Sequence, residues 1–343
     1  RSAFFHLIEM GKLLENAQGE TILSLQSGDF NLQLGTCGLS FAFSLFELLK
    51  SEVMTAIDPL HPLIDPMPKA KADAPIGIFD SGIGGLSVAQ EIARHLPKER
   101  ILYYADTAHV PYGPRDDQNI RELTAQAIDW LYRRGCKIAV VACNTASAFS
   151  LDYLREHYGA DFPIIGLVPA LKPAVLHTQS KTVAVLATPA TFRGKLIQEV
   201  IQGFAGPAQV KVIAVTSLDL VPFVESGAQM SAACLATLKE ILQPVVDQGA
   251  DYLVLGCTHY PFLKAAIESI FGQKLTLIDS GVPVARQTAQ ILIKNELLFE
   301  NDQNEIARIE CYVSGNNAER LKVVLQHLIP SDLSWNIHNI TVE

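Results

Sequence analysis

From Pro75 onward, short apolar runs alternate with longer stretches whose apolar residues recur at helical spacing. That alternation restricts the fold more than any other feature. Strands separated by whole helices cannot pair as hairpins, so they imply parallel sheets joined by crossovers. The pattern predicts strands over 76–79, 101–104, 138–142, 163–166, 182–187, 210–215, 252–255, 275–278 and 309–313. Helices are expected over 86–95, 116–134, 145–157, 218–226, 231–248, 262–271, 282–298 and 316–327, with a further helix start at Thr188-Pro189. The tail after Pro330 reads as loosely held.

Composition narrows what such a chain does. With 343 residues, 49% hydrophobic and 18% charged, it can fill a substantial core. A net charge of −9 argues against nucleic acid and membrane surfaces, both of which call for a basic face. It leaves room for a small anion, because backbone N–H groups make a pocket locally positive. Six cysteines (Cys37, Cys136, Cys143, Cys234, Cys257 and Cys311) form no C-x-x-C pair. A large chain without a disulfide framework points to the reducing cytoplasm.

Residues 1–53 stand apart from this pattern. The run from Cys37 to Leu49 is interrupted by Glu47 and is too short to span a bilayer, and no basic segment marks a signal peptide. The run would suit an amphipathic helix, but our expectation is that residues 1–53 are a non-native extension and that Met54 is the natural start. A peptide from residues 1–50 in the native protein would overturn this. Residues 54–74, rich in proline, read as an extended leader without a helix.

Two stretches concentrate the chemistry. Val140-Val141-Ala142-Cys143-Asn144-Thr145-Ala146-Ser147 and Val254-Leu255-Gly256-Cys257-Thr258-His259-Tyr260-Pro261 each deliver a cysteine at the carboxyl end of a buried strand, just before a helix. Ligands of open α/β sheets bind at that edge, and a helix N-terminus favours thiolate. Either cysteine alone reads as a buried structural residue. Together, at matching places, they suggest two sulfurs facing one ligand, as a proton acceptor on one face of a carbon and a donor on the other. A zinc site using Cys143, Cys257 and His259 matches no structural zinc spacing. Asp80-Ser81-Gly82-Ile83-Gly84-Gly85 follows the first strand. Its glycines allow close approach of a ligand and its helix offers N–H groups to an anion, but it is neither G-x-G-x-x-G nor a P-loop. Asp80 reads as a helix cap or as a carboxylate beside a thiol. His259 reads as a helix-start residue or as a partner of Cys257. Tyr112 reads as a packed turn residue or as a ring closing over a ligand.

These motifs, with Pro111-Tyr112-Gly113, Val168-Pro169-Ala170 and Thr188-Pro189-Ala190-Thr191, occur in an order and spacing that resembles the glutamate racemases of the aspartate/glutamate racemase superfamily, over about residues 75–295. The resemblance implies two doubly wound parallel-sheet α/β domains related by a pseudo-two-fold, with the active site in the cleft between them. The expected spans are 75–168 plus 278–330 for the first domain and 169–277 for the second. It implies cofactor-independent interconversion of L- and D-glutamate for peptidoglycan synthesis, without a metal. Cys143 and Cys257 would be the acid and base, assisted by Asp80 and His259 respectively. Ser81, Tyr112, Gly113, Asn144, Thr145 and Thr258 would bind substrate, and Glu225 falls where the family often carries a functional glutamate. A homodimer and a cell-wall-precursor regulator are further implications. Thr216-Ser217-Leu218 departs from the Cys-Pro pair of many members. The rival readings are an aspartate or hydantoin racemase or related decarboxylase, and a non-catalytic two-domain solute binder.

Overall fold

The computed structural model describes residues 70–300 and 308–340, with the backbone of three strands nearer the start. The chain forms two compact units, Arg1–Pro66 and Met67–Glu343. In the first, β1 (Lys12–Glu15), β2 (Thr21–Ser27) and β3 (Phe30–Leu34) pair in order as an antiparallel sheet. The sequence reading gave no strands here. The stretch from Cys37 to Leu49, Met54 and most of the proline-rich leader lie outside the described residues.

The second unit follows the alternation read from the sequence. In chain order it runs β4 (Ile76–Asp80), α1 (Leu86–His95), β5 (Arg100–Ala105), α2 (Asp117–Arg133), β6 (Ile138–Val141), α3 (Asn144–Tyr158) and β7 (Ile164–Gly166). It continues with α4 (Leu171–His177), β8 (Thr182–Ala187), α5 (Pro189–Arg193), α6 (Lys195–Val200), β9 (Lys211–Thr216), α7 (Leu220–Glu225), α8 (Ala232–Asp247), β10 (Tyr252–Gly256) and α9 (Lys264–Phe271). It ends with β11 (Thr276–Ile278), α10 (Gly281–Lys294), β12 (Arg308–Ser314), α11 (Ala318–Leu328) and β13 (Ser334–Ile340). Three of these were not foreseen: α4, β13, and α6, which follows α5 after an extended Gly194. Helix α4 is a short amphipathic segment, and β13 pairs in parallel with β12 along its whole length, so the tail after Pro330 is part of the sheet.

Both sheets are parallel, and they repeat one topology. The strand order is β13-β12-β5-β4-β6-β7 in the first and β11-β10-β8-β9 in the second. In each, the first strand of the half (β4 or β8) lies between the second (β5 or β9) and the third (β6 or β10). The chain order therefore reverses between the first and third strands. Such a reversal opens a crevice beyond the carboxyl ends of the strands, where α/β sheets bind ligands. The cysteines follow β6 and β10, the equivalent third strands.

Alternation along β4 shows how the layers are filled. Ile76 and Ile78 face a core shared with α1, α10 and the inner face of the second sheet, whereas Phe79 faces α2 and α3. Strands β4, β6 and β8 are buried at every position, which is why they read as continuous apolar runs rather than alternating ones. No helix among the described residues is long and apolar enough to cross a membrane.

Candidate active site

Strand β6 ends at Val141, and Ala142 extends its ladder by donating its N–H to Phe79 O at 2.6 Å. Cys143 then turns the chain into α3. Its backbone is extended, and its sulfur accepts from the Ala146 N–H at 3.5 Å in the manner of a helix cap. The thiol also donates to Ser81 Oγ at 3.6 Å. In the second half, β10 ends at Gly256 and Cys257 follows directly. Its sulfur lies 3.7 Å from Nδ1 of His259. Cys143 is 5% exposed and Cys257 8%, so each thiol is nearly buried but reaches a surface. That surface is shared: both sulfurs line one cleft of about 390 Å³, counting its open mouth.

Ser81, Tyr112, Gly113, Asn144, Thr145, Thr258 and His259 line the same cleft, so it gathers all the expected binding residues. Asp80 and Glu225 sit behind it. Asp80 is fully buried. Its Oδ2 accepts from the Gly85 N–H at 2.6 Å and from Thr258 Oγ1 at 3.3 Å, while Oδ1 has no partner. The cap of α1 is Gly85, without a side-chain bond, so Asp80 braces the turn through the Gly85 N–H rather than capping the helix, and it lies beside the Cys143 thiol. Glu225 Oε1 accepts from the Ile83 N–H at 2.9 Å and lies 2.6 Å from Nε2 of His259. Glu225, His259 and Cys257 thus form a hydrogen-bonded chain. Tyr112 is packed beside Phe79 and donates its hydroxyl to Asp106 Oδ2 at 2.6 Å, so its ring forms a fixed wall. Cys143, Cys257 and His259 form no metal-binding group, and no set of three such ligands occurs among the described residues.

The glycine turn also makes room for neighbouring side chains. A side chain at Gly82 would collide with the Glu225 carboxylate, and one at Gly84 with the His259 ring. At Gly85 a Cβ would sit 2.7 Å from Asp80 Cβ and 2.8 Å from the Tyr103 hydroxyl. These glycines make room for protein side chains as much as for a ligand. Gly84→Ala is therefore expected to push His259 off Cys257 and Glu225 and lower turnover by about 10²-fold, within the range of one positioned acid–base group. Steady-state kinetics beside an unfolding curve would check this; wild-type turnover would refute the packing argument.

Burial governs the titration of these groups. It raises the Asp80 carboxyl to about 6, against the pull of His259, the Gly85 N–H and the Cys143 thiol. Burial, and next the Asp80 charge, push the Cys143 thiol well above its ordinary value, opposed by the Ala146 N–H and Ser81. At His259 burial disfavours the charged ring. The hydrogen bonds to Cys257 and Glu225 outweigh it and hold the imidazole well above its usual range. Because the folded pKa of Asp80 lies above the ordinary 3.8, its contribution is full below that value and declines as pH rises to about 6. The decline is about 3 kcal/mol at 1.36 kcal/mol per unit. Asp80→Asn should flatten this slope and leave the folded protein more stable at neutral pH, as urea unfolding at pH 4 and 7 would measure.

Two groups of cleft residues were not assigned a place in the site from the sequence. Thr188 caps α5, accepting from the Thr191 N–H at 3.2 Å, and its hydroxyl lies 2.9 Å from that of Thr145. It joins the two halves at the cleft. Its place after β8, equivalent to Asp80-Ser81 after β4, was the available signal. Leu218 and Val221 supply an apolar wall near Val110 and Pro111. Leu218 belongs to the stretch that departs from the Cys-Pro pair, and no pattern in the sequence marked it.

The pattern of the Asp/Glu/Hydantoin racemase family matches residues 76–288, from the start of β4 into α10. The glutamate racemase of Deinococcus radiodurans is 51% identical over 267 residues, covering 78% of this chain and 89% of that one. Among solved structures, a glutamate racemase isoform from Bacillus anthracis superposes with a TM-score of 0.68 at 29% identity, covering 79% of this chain and 99% of its own. The Escherichia coli glutamate racemase, solved with L-glutamate and the activator UDP-MurNAc-ala, gives 0.66 at 33% identity over 79% and 99%. The doubled topology, the thiols after equivalent strands and the half-identical sequence share one explanation: the chain belongs to the Asp/Glu/Hydantoin racemase family.

Proposed function

We propose that this protein is a glutamate racemase that moves the α-proton by two thiols and supplies D-glutamate for peptidoglycan. The observation that carries the reading is that Cys143 and Cys257, at the ends of equivalent strands, line one cleft. One cysteine as thiolate removes the α-proton. The other, as thiol, protonates the opposite face, so the two exchange protonation states in each turnover. Asp80 serves Cys143, and its partnerless Oδ1 accepts from the substrate ammonium. His259, held by Glu225, donates to Cys257 when that sulfur is negative. Ser81, Tyr112, Gly113, Asn144, Thr145 and Thr258 hold the rest of the substrate.

An α-proton is a very weak acid, so the developing carbanion needs help that a thiol alone does not give. Backbone N–H groups near Ser81, Asn144 and Thr258 would bind its carboxylate, and exclusion of water strengthens each such bond. Five buried free thiols among the described residues suit a reducing cytoplasm. The test is incubation with L-glutamate in D₂O. D-Glutamate carrying deuterium at the α-carbon is expected. Binding without exchange would favour a solute binder, and exchange confined to aspartate or a hydantoin would move the substrate.

A further inference from the structure

Cys257 does not face the substrate cleft alone. A second, smaller cavity, with room for about one water, lies behind it where the chain passes from β7 toward α4 and from β11 into α10. Cys257, Thr258 and Asn144 line both spaces and divide them. Cys143 lines the front cleft and not the rear cavity. The rear wall is polar. Ser87 Oγ donates to Thr258 O at 2.9 Å and Ser280 Oγ donates to Val168 O at 2.9 Å, which leaves both hydroxyl oxygens free to accept. Asn144, on the partition between the two spaces, has its Oδ1 buried without a partner, an acceptor open to water on one side or to substrate on the other. Toward the outside the lining reaches Asp279, which is paired with Lys264 at 2.5 Å, their side chains 19% and 39% exposed.

We propose that the rear cavity holds water through which Cys257, and not Cys143, exchanges its proton with solvent while substrate fills the front cleft. This rests on the two-thiol reading. In a turnover where Cys257 is the base, the α-hydrogen passes to its sulfur and leaves a carbanion. A water in the rear cavity takes that proton while giving another to the sulfur, so charge is conserved. Return of the new hydrogen re-forms the starting enantiomer, now carrying the solvent isotope. When Cys143 is the base, the substrate covers its path to water and the original hydrogen returns.

The test follows α-deuterium in both product and recovered substrate, from L- and from D-glutamate separately, in D₂O with the full-length protein. Product is expected to carry deuterium from either enantiomer. Recovered substrate is expected to gain deuterium for one enantiomer only. Leu167 lines the rear cavity and takes no part in the front cleft. Leu167→Phe, which fills the cavity, should abolish that gain while product stays deuterated, and Leu167→Met should keep it. The asymmetry in wild type stands as a test even if the larger side chain prevents folding. Protium in the product would refute the two-thiol reading itself. Deuterated product with equal or absent gain in the two substrates would refute the rear route alone. A gain that survives in folded Leu167→Phe would also refute it and assign the exchange to the His259–Glu225 chain.

Discussion

Cys143→Ala and Cys257→Ala should each lose racemisation by at least about 10²–10⁴-fold, the usual contribution of one positioned acid or base. The two losses should not add in the double variant, because racemisation needs both faces at once and either single change already removes one. What remains separates the roles. Each single variant keeps one sulfur in place: Cys143→Ala, which keeps Cys257 and the rear cavity, should retain slow exchange of the α-proton with solvent from one enantiomer, whereas Cys257→Ala should show none. Polarimetry follows the racemisation, and deuterium wash-in from each enantiomer follows the residual exchange. Residual exchange from both enantiomers in Cys143→Ala would mean that Cys257 does not face a single side of the carbon. The fold should survive both changes. Each removes one sulfur beside an open cleft, although Cys143→Ala also deletes the acceptor for the Ala146 N–H. Unfolding curves of the variants would register any loss of that cap.

The fold was legible because the central strands of each half are buried on both sides. Runs such as Ile138–Val141 and Thr182–Ala187 have no polar position to blur them, and their alternation with helices leaves few arrangements. What escaped was weakly patterned. β13 at the sheet edge carries Asn336, His338 and Asn339 among apolar residues, so it lacks the dense run that marked the central strands. Helix α4 is one short amphipathic piece, with Pro173 inside it as a distracting signal. The thiols could be read because cysteine at the end of a buried strand is a local feature. The Glu225–His259 contact joins residues 34 positions apart on different elements, and the collision of a Gly84 side chain with His259 is tertiary. Distances of that kind are set by how β4 and β10 face one another, which no window of sequence contains.

Lys137→Met should destabilise the protein by about 3–5 kcal/mol without altering turnover per folded molecule, the range for removing one partner of a buried pair. Lys137 and Glu99 are both buried, with Nζ 2.5 Å from Oε2. They stand just before β6 and β5, at the amino ends of strands whose carboxyl ends form the cleft, so the change acts far from the chemistry. Burial lowers the Lys137 pKa, and the bond to Glu99 opposes it. The pair also fastens two passing segments: Lys137 donates to Ala72 O at 2.5 Å, and Glu99 Oε1 accepts from the Phe299 N–H at 3.0 Å. Removing the lysine strands the carboxylate and frees Ala72. Changing both residues, as Lys137→Met with Glu99→Met, should recover part of the loss because no lone charge remains. Full recovery is not expected, since Ala72 O and the Phe299 N–H, both half-buried, each lose a partner. A double-mutant cycle in urea measures the coupling. Additive losses would show that the two charges act independently and that the clamp on the two segments carries the whole effect.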